Sequence, residues 1–180
     1  MDYEKIIKDC INGNPRAQRE LFDVLSPKMM TVCLRYMDSS DEAEDVFQMA
    51  FVKVFGKLAE YNHNGSFEGW VRRIFVNSCL DQIRKNKKTK YDVSIDDVAF
   101  KIEDDSYIFE TMVAEELLAL IQKMPSGYKT VFNMFAVEGY SHKEIAEHLG
   151  VSESTSKSQY KRARSYLVNC LEKLDHEERR

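Results

Sequence analysis

Glycine and proline are scarce in this 180-residue sequence, at seven and three residues. Many-turned β structure depends on those residues at its turns, so their scarcity argues for helices. The four cysteines, Cys10, Cys33, Cys79 and Cys170, show no paired spacing. That excludes the usual signatures of a zinc site or a disulfide framework, and isolated, mostly apolar-facing thiols fit a reducing compartment. No apolar run approaches the length of a membrane span, and no leader pattern opens the sequence. The expectation is a soluble cytoplasmic protein. His63, His142, His148 and His176 are scattered, with no carboxylate pair, nucleophile motif or phosphate-cradling glycine loop beside them. Nothing here predicts an enzyme, a cofactor, a metal or a small-molecule substrate, and His148 is expected to face solvent.

What the sequence has in quantity is charge, 31% of residues, beside an ordinary 43% of apolar ones. The net charge of −4 is unlike that of a nucleic-acid binder, but its distribution matters more than its sum. Between residues 70 and 90 lie Arg72, Arg73, Arg84, Lys85, Lys87, Lys88 and Lys90 against Asp81 alone. Between residues 91 and 116 acids dominate, with Lys101 the only cation. Basic faces separated by an acidic connector are compatible with DNA.

One stretch has the form of a helix-turn-helix. Ser141 and Glu144 make a capping box for a short helix with Ile145, Ala146 and Leu149 on its apolar face. Gly150 supplies a left-handed terminator, and Ser152 caps a longer helix. At about 100° per residue, Ser156, Tyr160, Ala163, Leu167, Cys170, Leu171 and Leu174 fall on one side of that helix. Lys157, Ser158, Lys161, Arg162, Arg164 and Ser165 fall on the other. An apolar back and a basic, hydroxyl-bearing front suit the DNA major groove; a solvated charged face is the alternative.

Earlier in the chain, a short helix over residues 3–12 is expected to turn Ile6, Ile7 and Ile11 inward. A second helix starts at Arg16, and Ser26-Pro27 is expected to break or kink it. A helix from Glu42 to about Leu58 carries a core face of Ala43, Phe47, Ala50, Phe51, Val54 and Leu58. Asp45, Gln48, Met49, Val52 and Phe55 occupy the remaining arc. Apolar groups beside Asp and Gln there fit a protein-binding face, or a helix buried on two sides. After a turn-rich loop at 61–66, Ser66 caps a helix with Phe67, Val71, Ile74, Phe75 and Ser78 inside. Its neighbouring arc holds Trp70, Arg73, Asn77, Asp81 and Arg84, residue types that hold phosphates, read base edges and stack on unpaired bases. Alternatively, Trp70 belongs to the core and the charges are solvated. The acidic segment at 89–107 lacks helical period and reads as a flexible linker. Helices are expected again at 108–123 and 128–137, ahead of the helix-turn-helix.

Three blocks, DEAEDVFQMAFVKVF, GSFEGWVRRIFVNSCLDQIRK and MPSGYKTVFNMFAVEGYSHKEIAEHLGVSESTSKSQYKRAR, resemble the extracytoplasmic-function (ECF) group of sigma-70-type RNA polymerase sigma factors. The resemblance spans roughly residues 17–174. It implies an all-α chain of two small helical domains, sigma domain 2 over 1–90 and sigma domain 4 over 108–180, joined by an acidic linker at 91–107. It implies an alternative sigma factor that binds core RNA polymerase, at the β′ clamp and β flap, and directs initiation at specific promoters. Asp45, Gln48, Met49, Val52 and Phe55 match clamp-binding positions. Asn62, Ser66, Trp70, Arg73, Asn77, Asp81 and Arg84 match the loop and helix that capture and read the −10 element. Ser154, Thr155, Lys157, Ser158, Lys161 and Arg162 match positions that contact −35 DNA. Asp81 stands where relatives often have another polar residue, and Ser156 where an aliphatic one is usual, though Tyr160 can fill part of that space. Many relatives are restrained by an anti-sigma factor, often membrane-linked, so such a partner is expected. A helix-turn-helix repressor with a ligand-sensing N-terminal half is the competing reading. It leaves the Asp45/Gln48 arc and the arc around Asn77 without a purpose.

Overall fold

A computed structural model of the chain describes residues 3–89 and 114–178, and of residues 87–89, 114, 115 and 174–178 only the backbone. All regular structure among the described residues is helical. The chain divides into two compact units, Met1–Asp92 and Val93–Arg180. The acidic segment and the expected helix start at 108 lie outside the described residues.

In the first unit α1 (Tyr3–Ile11) buries Ile6, Ile7 and Cys10. Ile11 was expected inside but is 50% exposed. The helix ends beside it and Gly13 turns the chain at φ +78°, so the buried stripe closes at Cys10. The side chain of Asn14 accepts from the amides of Arg16 and Ala17, and Pro15 follows at the first helical position of α2 (Pro15–Tyr36), a cap that leaves no buried donor unpaired.

α2 is continuous through Pro27, so of the break or kink expected there, the break is not what is seen. Proline removes one backbone donor, the one that would reach the carbonyl of Asp23. Pro27 and Asp23 are both exposed, so water can satisfy that carbonyl. Leu21, Leu25, Met29 and Val32 stay buried on either side of it.

α3 (Ser40–Lys57) is capped by Ser39, whose side chain accepts from the Glu42 amide, and a 3-10 turn, Leu58–Glu60, follows it. The expected core face of α3 is buried, with Val46 added. Phe51 is the hub of that core, with ring centroids 4.6 Å from Phe22, 4.9 Å from Phe47 and 5.1 Å from Phe75. Such ring pairs contribute about 0.5–1.5 kcal/mol each beyond area burial.

α4 (Phe67–Thr89) packs against both α2 and α3. It therefore buries Val76, Cys79 and Leu80 besides Phe67, Val71, Phe75 and Ser78, while Ile74 is only half-buried. Glu68 ties three helices together. Its carboxylate accepts from Tyr3 Oη at 2.7 Å and from Lys28 Nζ at 2.6 Å. Burial and the neighbouring carboxylate push the Tyr3 phenol up to about 12, and the hydrogen bond from Lys28 holds the Glu68 carboxyl below its ordinary range.

The second unit contains α5 (Ala114–Lys123), α6 (Ser126–Phe132), α7 (His142–Leu149) and α8 (Glu153–Glu178). Leu120, Ile121, Met124, Tyr128, Phe132, Ala163 and Leu167 form its core. The helix expected over 128–137 is instead α6 followed by a π-helical turn, Asn133–Val137. The wider turn carries Phe135 against the rings of His142 and Tyr160. A π turn re-aims side chains without ending the helical path.

Candidate nucleic-acid interface

The expected site residues fall on three faces, two on the first unit and one on the second. On α3, Asp45, Gln48, Met49 and Val52 are all exposed, Met49 at 43% and Val52 at 73%. Phe55 is half-buried and stacks on Phe51 at 6.0 Å, so it joins this patch to the core. The core accounts for the other side of α3, and the alternative of a helix buried on two sides is not what is seen.

Around the start of α4 the loop is held by its own chemistry. Tyr61 Oη donates to the Gly65 carbonyl at 2.8 Å, and Asn62 Oδ1 accepts from the Asn64 amide. His63 (φ 60°) and Gly65 (φ 90°) both take left-handed backbone, which costs a non-glycine residue on the order of 1–3 kcal/mol. Ser66 Oγ accepts from the Gly69 amide at 3.1 Å, so it caps α4 as the sequence suggested. Trp70 is half-buried, stacked on Phe67 at 5.8 Å and tilted against Tyr61 at 5.5 Å. It is part core and part surface.

Farther along α4, Arg73, Asn77, Asp81 and Arg84 are exposed on one arc. Arg84 Nη1 sits 2.9 Å from Asp81 Oδ1, and Lys53 Nζ lies 3.7 Å from Asp81 Oδ2. Lys53 Nζ also donates to Ser78 Oγ at 3.1 Å. Neither Lys53 nor Tyr61 was singled out from the sequence. The 27 residues between Lys53 and Asp81 leave no local signal of their pairing, whereas the tyrosine beside the turn-rich stretch could have been noticed.

In the second unit the capping box is formed. Ser141 Oγ accepts from the Glu144 amide at 3.3 Å, and Glu144 Oε2 accepts from the Ser141 amide at 2.8 Å. Gly150 terminates α7 at φ 66°. Ser152 Oγ accepts from the Thr155 amide at 3.0 Å and lies 2.8 Å from the hydroxyls of Ser154 and Thr155. On α8, Ser154, Lys157, Ser158 and Lys161 are exposed, and Thr155 and Arg162 are half-buried. Ser158 Oγ donates to the Thr155 carbonyl, and Lys157 pairs with Glu153 at 2.7 Å, which lowers the Glu153 carboxyl.

Two expectations on this unit are corrected. Ser165, placed on the outer face, is buried and donates to the Lys161 carbonyl at 3.1 Å. The cause is that α8 packs against α6 as well as α5 and α7, which widens its buried arc. His148, expected in solvent, is half-buried against Tyr140 at 5.4 Å.

Ser156 is fully buried, and its Oγ is 3.0 Å from Nδ1 of His142. The His142 ring stacks on Phe135 at 4.2 Å and meets Tyr160 edge-on at 5.8 Å. Burial, then the nearby Lys157, lower the His142 pKa against a smaller opposing effect of Glu153. The place of an aliphatic contact is thus taken by a serine–histidine pair with an aromatic surround. Sequence reasoning did not pick out His142.

Two family models match the chain: Sigma-70 region 2 over residues 21–89 and Sigma-70, region 4 over residues 114–167. The ECF RNA polymerase sigma factor SigW of Bacillus subtilis is 27% identical, the match covering 97% of this chain and 99% of the relative. The RNA polymerase sigma-H factor of Pseudomonas aeruginosa is 26% identical, covering 88% and 90%. Among solved structures, the sigma factor RpoE from Bartonella quintana, crystallised with the anti-sigma factor NepR, matches with a TM-score of 0.51 at 18% identity. That match covers 86% of this chain and 96% of the other, and it shows a shared fold. With both sigma-70 regions present in order and ECF relatives aligned along nearly its whole length, the chain belongs to the ECF group of sigma-70-type RNA polymerase sigma factors.

Proposed function

We propose that this chain is an alternative sigma factor whose two units divide the work of promoter recognition, residues 1–90 acting on polymerase and the −10 element and residues 108–180 on the −35 element. Residues 91–107 connect them. The observation that carries the reading is the outer arc of α3, where Met49 and Val52 stand exposed beside Asp45 and Gln48. A fold that buries all of Ala43, Val46, Ala50 and Val54 on the same helix has no internal reason to leave such a strip uncovered. Apolar area flanked by polar anchors is the composition of a protein interface. In this reading Asp45 and Gln48 set the register on the β′ clamp, while Met49, Val52 and the edge of Phe55 supply desolvation. The second unit contacts the β flap.

The DNA contacts follow the same logic. Asn62 and Ser66 belong to the loop that receives a flipped −10 base, and Trp70 offers a stacking face on a rigid aromatic bed. Arg73 and Arg84 hold phosphates, while Asn77 and Asp81 face base edges. Flipping costs about a few kcal/mol, and stacking on an aromatic returns roughly 1–3 kcal/mol per base. Lys157, Lys161 and Arg162, with the hydroxyls of Ser154, Thr155 and Ser158, dock α8 in the −35 major groove. The chain supplies binding energy and no bond chemistry, and it works in the cytoplasm, where polymerase and promoter are. The RpoE relative was crystallised with an anti-sigma factor, and we extend that class of partner to this chain.

Core-polymerase binding measured by fluorescence anisotropy tests the carrying observation. Val52→Asp is expected to weaken binding at least tenfold while leaving the circular-dichroism spectrum and melting midpoint unchanged. Undiminished binding in that variant would remove α3 from the polymerase interface.

A further inference from the structure

Lys157, one of the cations assigned to phosphate, is already engaged within the protein. Its Nζ lies 2.7 Å from Glu153 Oε1, one helical turn back on the exposed face of α8. A solvent-exposed pair of this kind is weak, so a further charge beside it decides how the carboxylate is shared. That further group is His142, at the first position of α7. Lys157 acts most strongly on the Glu153 carboxylate, and His142 and Lys143 act on it in the same sense.

His142 is held from three directions. Its Nδ1 is 3.0 Å from the buried Ser156 Oγ, its ring stacks on Phe135 at 4.2 Å, and Tyr160 meets it edge-on at 5.8 Å. The titratable groups around it are, from α8, Glu153, Lys157 and the Tyr160 phenol. On α7 itself Lys143 and Glu144 follow it, and Glu144 accepts from the Ser141 amide. The π-helical turn, NMFAV, brings none. Lys157 and Glu153 act on the ring with opposite sign. The Ser156 hydroxyl rotates and can donate or accept, so Nδ1 keeps its bond in either protonation state. The ring can change charge without leaving its place.

These contacts couple two events. When Lys157 turns to a phosphate, the phosphate offsets its repulsion of the ring, and the released Glu153 is left to His142 and Lys143. Both changes favour the protonated ring. Coupling between two binding events is reciprocal, so a proton on His142 favours DNA by the same factor. Resting on the sigma-factor reading, we infer that His142 is a positioning residue for Lys157, acting through Glu153, and that α8 takes up a proton at His142 as it engages DNA. Burial keeps the free protein's ring neutral above the ordinary histidine range. The gain in affinity is therefore absent at pH 7.5 and grows as pH falls through about 6.5.

The test is binding of holoenzyme to a promoter duplex on which the wild-type protein initiates, at pH 7.5 and pH 5.5, for wild type, His142→Asn and Glu153→Gln. Glu153 is exposed, so its variant reports even if the histidine variant folds poorly. Wild-type affinity is expected to rise about fivefold more between the two pH values than that of either variant, the low end of coupling between sites. Glu153→Gln is also expected to bind more tightly than wild type at pH 7.5, because Lys157 is already free. A role of His142 in packing alone would move neither quantity. The same pH dependence in wild type and both variants overturns the inference and leaves the sigma-factor reading intact. Absence of initiation by the wild type on any promoter overturns that reading, and the inference with it.

Discussion

Ser156 and His142 show how one buried polar residue is made tolerable by another. A hydroxyl with no partner in a fully buried position costs about 1–3 kcal/mol, while the hydrogen bond itself returns roughly 0.5–1.5 kcal/mol. His142 supplies that partner at 3.0 Å and adds a stacked ring to Phe135. Removing the histidine therefore costs more than removing the serine. His142→Ala should lose about 2–3 kcal/mol and Ser156→Ala about 1 kcal/mol in urea denaturation, and equal losses would mean the pair is not the unit of stability here.

The same histidine makes a pH prediction whose sign is fixed. Burial holds its folded-state pKa below the ordinary value of 6.5, so the fold favours the neutral ring. As pH falls through about 6.5 the unfolded chain takes up the proton first. Stability conferred by neutral His142 is fully present above that pH and declines until the folded pKa is passed. The stability difference between wild type and His142→Asn should shrink from pH 7.5 to pH 5.5. A difference independent of pH would contradict the assignment.

At the scale of elements, α2 shows what a helix tolerates when its tertiary contacts are strong. Pro27 sits on the exposed side of a helix that is buried before and after it. Pro27→Ala restores a backbone donor to the Asp23 carbonyl and should stabilise the chain by about 1–3 kcal/mol, less whatever the freer unfolded chain gives back. A thermal melt checks the direction; a lower midpoint would show that the native backbone there is shaped around the ring.

Much of this was legible in sequence. The core face of α3, both serine caps of the helix-turn-helix, the left-handed Gly150 and the cap at Ser66 follow from local chemistry, and local chemistry is what periodicity and capping rules read. What was not legible depends on neighbours. The breadth of burial on α4 comes from packing on two helices at once, and the buried Ser165 from α6 lying against α8. The π turn before α7 and the Lys53–Asp81 pairing are likewise products of tertiary context. A single-face helical reading cannot anticipate a second packing partner, so it handled α3 well and α4 less well.

For the molecule as a whole, a net charge of −4 coexists with α8, which exposes Lys157 and Lys161 and which we propose faces DNA. Binding through such a face should weaken steeply with salt, because each phosphate contact releases counterions. Lys161→Ala should lower the salt slope of −35 duplex binding, measured as holoenzyme, by about 1, and a slope that does not move would mean Lys161 touches no phosphate. Dividing contacts between two tethered units makes the second engagement intramolecular, so modest individual affinities suffice.

The central claim, that one chain joins a polymerase-binding face to a promoter-reading one, is tested most directly by in vitro transcription. Core polymerase is supplied with wild type, Gln48→Ala or Lys157→Ala on a pooled promoter library. The account predicts defined start sites with wild type, none with core enzyme alone, and weaker initiation at the same sites with either variant. Polymerase-independent binding to a duplex operator with no initiation would contradict it and favour a repressor.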